Sequence, residues 1–106
     1  MNLKEIDLRF CKELVEVPDL SMAKNLEGLS LSQCKNLREI HPSILSLDKL
    51  QDLELQGCTK IRSLQTDNHL KSLQSITLSN CSSLTEFSVT SNNLKNLWLD
   101  GTNNTI

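Results

Sequence analysis

Tyrosine is missing from this sequence, and one tryptophan and two phenylalanines make up its whole aromatic content. Leucine carries most of a modest hydrophobic share of 38%. This points away from a three-dimensional jigsaw core and towards stacked layers of one residue type. Glycine occurs only as Gly28, Gly57 and Gly101, so no glycine-rich loop is present to cradle a phosphate. No excess of positive charge exists either. Lysine and arginine number 11 against 13 acidic residues, a formal net charge of -2, which leaves no basic footprint for nucleic acid. No apolar run approaches the roughly 18 residues of a membrane span, and Met1-Asn2-Leu3-Lys4-Glu5 lacks the pattern of a signal peptide, so no membrane role is expected. At 106 residues the chain is one domain at most, with a small core.

Cysteine, by contrast, is present and regular. Cys11, Cys34, Cys58 and Cys81 are spaced 23, 24 and 23 residues apart, and each follows the same apolar pattern. Leu3, Ile6 and Leu8 precede Cys11. Leu26, Leu29 and Leu31 precede Cys34, Leu50, Leu53 and Leu55 precede Cys58, and Leu73, Ile76 and Leu78 precede Cys81. Apolar residues follow each cysteine three and six places on: Leu14 and Val17, Leu37 and Ile40, Ile61 and Leu64, Leu84 and Phe87. A fifth copy opens with Leu94, Leu97 and Leu99 and carries Thr102 in the cysteine column. The cysteine is thus one column of a repeat, LxxLxLxxCxxLxx(L/I/V/F), which matches the leucine-rich repeat signature with cysteine or asparagine at that place.

Each column has a physical reason. Alternation in LxL is the period of a short strand with one buried face. Stacked turns pair these strands into a parallel sheet, and no turn can bury its leucines without neighbours. The cysteine is expected to point inward as a small, largely apolar residue with a weakly accepting sulfur. The expected fold is therefore an α/β solenoid, a leucine-rich repeat horseshoe segment. It would have a parallel sheet on the concave face and short irregular or helical-turn returns on the convex face. The repeats run over about 2–24, 25–48, 49–71, 72–92 and, in part, 93–106 of a single domain spanning 1–106. Pro18 and Pro42 suit non-helical turns. Pro42 to Leu47 fits one helical turn with Ile44 and Leu47 facing the core, and Ser88 to Asn93 is expected to be extended and loosely packed.

The chemical alternatives fail on spacing. Zinc sites pair ligands two to four residues apart, whereas these cysteines are isolated from one another. Disulfides between stacked turns would satisfy the Cα distance, but inward, parallel side chains favour buried, reduced thiols. A nucleophilic cysteine needs a neighbouring base, and His41 and His69 lie on convex returns. Asn80-Cys81-Ser82 and Asn103-Asn104-Thr105 match the glycosylation sequon, a motif common by chance. No enzyme, metal, cofactor or small-molecule substrate is expected.

Asn2-Leu3-Lys4-Glu5-Ile6-Asp7-Leu8, Leu14-Val15-Glu16-Val17-Pro18-Asp19-Leu20-Ser21, Asn36-Leu37-Arg38-Glu39-Ile40-His41-Pro42-Ser43-Ile44 and Leu94-Lys95-Asn96-Leu97-Trp98-Leu99-Asp100-Gly101-Thr102 carry a further likeness. They resemble the repeats of plant intracellular immune receptors of the class with a Toll/interleukin-1 receptor-type domain and a nucleotide-binding ATPase. Extracellular receptor-kinase repeats differ, with asparagine in the turn column and a Gly-x-Ile-Pro return. The resemblance implies a fragment of a longer cytoplasmic or nuclear receptor, one that begins at a strand and stops inside a repeat with one core end open. It also implies a role in recognising pathogen effectors and in holding the receptor inactive, so the partners would be an effector or other domains of the same receptor. A structural or adaptor solenoid without an immune role is the alternative. Binding would fall to the outward strand columns. Among them Asp7, Arg9, Asp52, Glu54, Thr77, Trp98 and Asp100 are the candidates, on a polar face with an acidic patch at Asp52 and Glu54. Trp98 suits either an interface anchor or a cross-strand cover over Thr77.

Overall fold

The computed structural model describes residues 3–17, 19–41, 43–44, 47–70, 72–91 and 94–102. Pro18, Pro42, Leu45, Ser46, Asn92, Asn93 and the second sequon's Asn103, Asn104 and Thr105 lie outside the described residues.

The leucine alternation produces one three-residue strand per turn. These are β1 (Glu5–Asp7), β3 (Gly28–Ser30), β5 (Asp52–Glu54), β7 (Ser75–Thr77) and β9 (Asn96–Trp98). They form a five-stranded parallel sheet in the order β1-β3-β5-β7-β9. The register follows the repeat columns, with Ile6, Leu29, Leu53, Ile76 and Leu97 side by side. Just past each strand, the amide of the next leucine column donates to the adjacent turn: Leu8 to Ser30, Leu31 to Glu54, Leu55 to Thr77 and Leu78 to Trp98, each at 2.8 Å. The backbone polar groups of one turn are therefore satisfied by the next, and for that reason a single turn has no stability of its own.

Side chains on the inner face stack in rows. Leu26, Leu50 and Leu73, Leu29, Leu53 and Ile76, and Leu31, Leu55 and Leu78 are all buried in one continuous core. Each such side chain contributes about 1.5–3 kcal/mol when fully buried. Leu37, Ile61 and Leu84, three places after each cysteine, close the core from the other side.

The returning side carries more β structure than irregular turns alone would give. β2 (Glu16–Val17) pairs with β4 (Glu39–Ile40), and β6 (Ser63–Leu70) pairs with β8 (Glu86–Ser91), both parallel. In each pair, apolar residues of one repeat column stand side by side, Val17 with Ile40 and Leu64 with Phe87. Ser88 is extended as expected, within a paired strand. The register shifts between Gln65 and His69, where the two returns differ in length. Between β4 and β5, Ser43–Ile44 forms a short 3₁₀ turn. Ile44 and Leu47 both reach the core there, as their spacing predicts.

Candidate interaction surface

Strand alternation aims the residues flanking each central leucine away from the core. On this concave side Asp7, Arg9, Asp52, Glu54 and Thr77 come together around a shallow groove of about 330 Å³, whose lining also includes Glu5. Trp98 and Asp100 do not line the groove. Trp98 follows Thr77 in register at the far end of the sheet and is 54% exposed. Asp100 sits beyond it and accepts a 2.7 Å hydrogen bond from the Ser79 hydroxyl.

Arg9 is engaged with Asp7. Its Nε and Nη2 donate to Asp7 Oδ1 and Oδ2 at 2.9 and 2.8 Å, and its backbone N–H reaches Oδ1 as well. The Arg9 side-chain bonds, followed by its amide, lower the Asp7 pKa, and the Arg9 pKa is raised chiefly by its bond to Asp7. Two carboxylates remain at the centre: Glu54, which accepts from the Ser30 hydroxyl at 3.4 Å, and Asp52. Glu5 adds a third, absent from the candidates chosen by column. Gly28 stands next to Glu5 in the ladder, and the Glu5 carboxylate lies 3.3 Å from where a Gly28 Cβ would be. The signal was available in sequence: a glycine in an outward column yields its space to the long side chain beside it.

The third outward column is not uniformly exposed. Arg9, Gln56 and Asp100 are, but Ser32 is buried, and its Oγ has no hydrogen-bond partner among the described residues. The next column is conformational. Phe10, Gln33, Gly57, Asn80 and Gly101 all take a positive φ, between 64° and 77°. Each of the first four donates its amide to the following turn, Phe10 to Ser32, Gln33 to Gln56, Gly57 to Ser79 and Asn80 to Asp100. Glycine and asparagine directly before the cysteine column were the clue.

All four cysteines are free thiols. Their sulfur does more than accept. Sγ of Cys34, Cys58 and Cys81 donates to the carbonyl of Leu8, Leu31 and Leu55 in the preceding turn, each at 3.0 Å. Burial pushes the Cys58 thiol up to about 12 and that of Cys81 up to about 11, the opposite of an activated nucleophile. Thr102, in the same column, turns its hydroxyl to Leu99 of its own turn, at 2.7 Å. His41 Nδ1 accepts the Ser43 amide at 3.1 Å, a local turn contact. Among the described residues no group of three or more His, Cys, Asp or Glu side chains could hold a metal ion, and no helix is long and apolar enough to cross a membrane.

No family model matches the chain. Individual relatives do. Disease resistance protein RPS6 of Arabidopsis thaliana is 53% identical over 51 residues, 48% of this chain and 4% of that protein. Disease resistance protein RML1B of the same plant is 52% identical over 52 residues, 49% of this chain and 5% of that protein. TMV resistance protein N of Nicotiana glutinosa is 44% identical over 43 residues, 41% of this chain and 4% of that protein. Over about half of its length the chain is thus similar to a short stretch of plant disease resistance proteins. The matched stretch is only a small part of each relative's length.

Proposed function

We propose that this solenoid is a protein-interaction module of a plant innate immune receptor and contributes through its concave face to effector recognition and to autoinhibition. The observation that carries the reading is the concave groove itself. Asp52, Glu54 and Glu5 gather there on a rigid five-stranded ladder, rimmed by polar side chains, with the exposed Trp98 ring at one end. A rigid, acidic surface with a single aromatic anchor suits a partner that presents basic residues, whether an effector or another domain of the same receptor. The similarity to disease resistance proteins supports the biological setting. The protein would act in the cytoplasm or nucleus, without a cofactor.

The test is a leaf cell-death assay on the receptor that carries these repeats. Trp98→Ala, or Asp52→Asn with Glu54→Gln, is expected either to abolish the response to a matching pathogen or to trigger cell death without one, at unchanged protein abundance. Unaltered responses in both assays would remove the concave face from recognition and inhibition alike.

A further inference from the structure

We propose that a second groove, on the convex side between β4 and β6, is a docking site for an extended acidic peptide segment of a partner protein. This goes beyond the concave reading, because it involves the opposite face and the opposite charge. The groove exists because the two return sheets do not join. β2 pairs with β4 and β6 with β8, whereas β4 and β6, which neighbouring turns should bring together, belong to separate two-stranded sheets. What results is an opening of about 850 Å³.

Three features of its wall define the occupant. The first is charge. Arg38 and Arg62, 24 residues apart and at equivalent places in their turns, line the groove with Lys60, against one acidic residue, Glu39. Lys60 Nζ donates to the neutral Asn36 amide oxygen at 2.9 Å, so its charge is held in place without being cancelled. Among the described residues the one ion pair is that of Arg9 with Asp7, on the other face. The second is an open strand edge. β6, the longest strand described, pairs among the described residues with β8 alone, and its Ser63, Leu64 and Gln65 line the groove. An unpaired edge is a template for an added strand, which extended peptides use through main-chain hydrogen bonds. The third is an apolar floor, formed by Ile40 and Leu64 of the same repeat column. Acidic side chains answering the arginines, a backbone answering the edge and small apolar side chains answering the floor describe an extended peptide that alternates apolar and acidic residues.

The experiment titrates the whole chain with a fluorescein-labelled octapeptide of alternating valine and glutamate, read by fluorescence anisotropy. Saturable binding is expected. Arg38→Gln and Arg62→Gln should each weaken it by roughly five- to tenfold, since charge-assisted contacts are lost. Both side chains are exposed, so unchanged circular dichroism is expected to show that the fold persists. Lys24→Gln, outside the groove, should leave binding unaltered. The same peptide with alternate backbone nitrogens methylated should not bind, because it cannot pair with the β6 edge. Absence of saturable binding, or equal binding by the methylated peptide or by heparin, would overturn the proposal. So would sedimentation showing that the edge is already occupied by a second copy of the chain.

Discussion

Cys58 illustrates how much one side chain can hold between turns. Its sulfur sits in the core, donates to the Leu31 carbonyl and is approached by the Cys34 amide of the preceding turn. The same carbonyl offers an acceptor to a serine hydroxyl placed there. Cys58→Ser should therefore cost about 1–2 kcal/mol, no more than Cys58→Ala, measured by urea denaturation. A serine cost well above the alanine cost would mean that the carbonyl is out of a hydroxyl's reach. The thiol also ties stability to pH. Unfolded, it loses its proton near 9.0; folded, only near 12. The unfolded state is then the one that releases a proton, so stability is full below pH 9 and falls as pH rises through 9 towards 12. The slope is at most about 1.4 kcal/mol per pH unit for one thiol. Cys58→Ala should flatten this decline, and an identical slope in the variant would dissociate it from the column. One place earlier, the positive-φ column makes two predictions of opposite sign. Gly57→Ala adds a Cβ at φ 77° against the Gln33 amide and should destabilise by about 1–2 kcal/mol. Phe10 pays the same conformational penalty already, at φ 64° and 66% exposed, so Phe10→Gly should stabilise by about 0.5–1 kcal/mol once glycine's greater unfolded freedom is subtracted. Equal signs at the two positions, in the same denaturation series, would refute the shared constraint.

Among the elements, the two kinds of strand differ in what holds them. The three inner strands of the five-stranded sheet, β3, β5 and β7, each have a buried leucine or isoleucine at the centre and a neighbour in register on both sides, as Leu53 of β5 has in Leu29 and Ile76. A return strand has one partner and an open edge. Hydrogen exchange should therefore find the Leu55 amide, bonded to Thr77 in mid-ladder, protected at least tenfold more than that of Glu86, whose acceptor is Arg62 in the β6–β8 pair. Comparable protection would show that the returns are as tightly cooperative as the spine. The same difference explains what could be read from sequence. The spine was legible because its period of two recurs in every turn and the register between turns follows from column identity alone. Ile44 and Leu47 were legible for the same reason, as a pair at helical spacing facing the core. The pairing of β6 with β8 was not, since return segments of unequal length carry no fixed columns beyond Leu64 and Phe87. On the concave side the polar columns located Asp52 and Glu54. They could not show that Arg9 is spent on Asp7, that Glu5 leans over Gly28 or that Ser32 is buried, because each depends on which rotamer its neighbour leaves room for.

For the molecule as a whole, stability accumulates along the stack, and the same residue type is worth different amounts at different rungs. Leu53 and Leu97 occupy the same column of the ladder. Leu53 lies between two covered turns and is 1% exposed, while Leu97 is 40% exposed, with Leu94 and Leu99 only partly buried beside it. Truncating Leu53 removes side-chain atoms from both sides of a filled layer, where little can relax, and Leu53→Ala should cost about 2–5 kcal/mol. Leu97→Ala removes atoms already in contact with water over much of their surface, and by the same area reasoning its cost should fall to about 1 kcal/mol or less. Amide exchange should follow the same gradient, with β9 opening before β5 at free energies well below that of global unfolding. If the two truncations cost the same and β9 exchanges as slowly as β5 in a chain shown to be monomeric, the last layer is covered as fully as the middle one. The cooperative unit would then be the entire ladder, and stability would not be a sum over neighbouring turns. If the chain associates end to end through the Leu94, Leu97 and Leu99 row, the cost of Leu97→Ala should instead rise with protein concentration, since the layer that buries Leu97 would then be supplied by a second molecule.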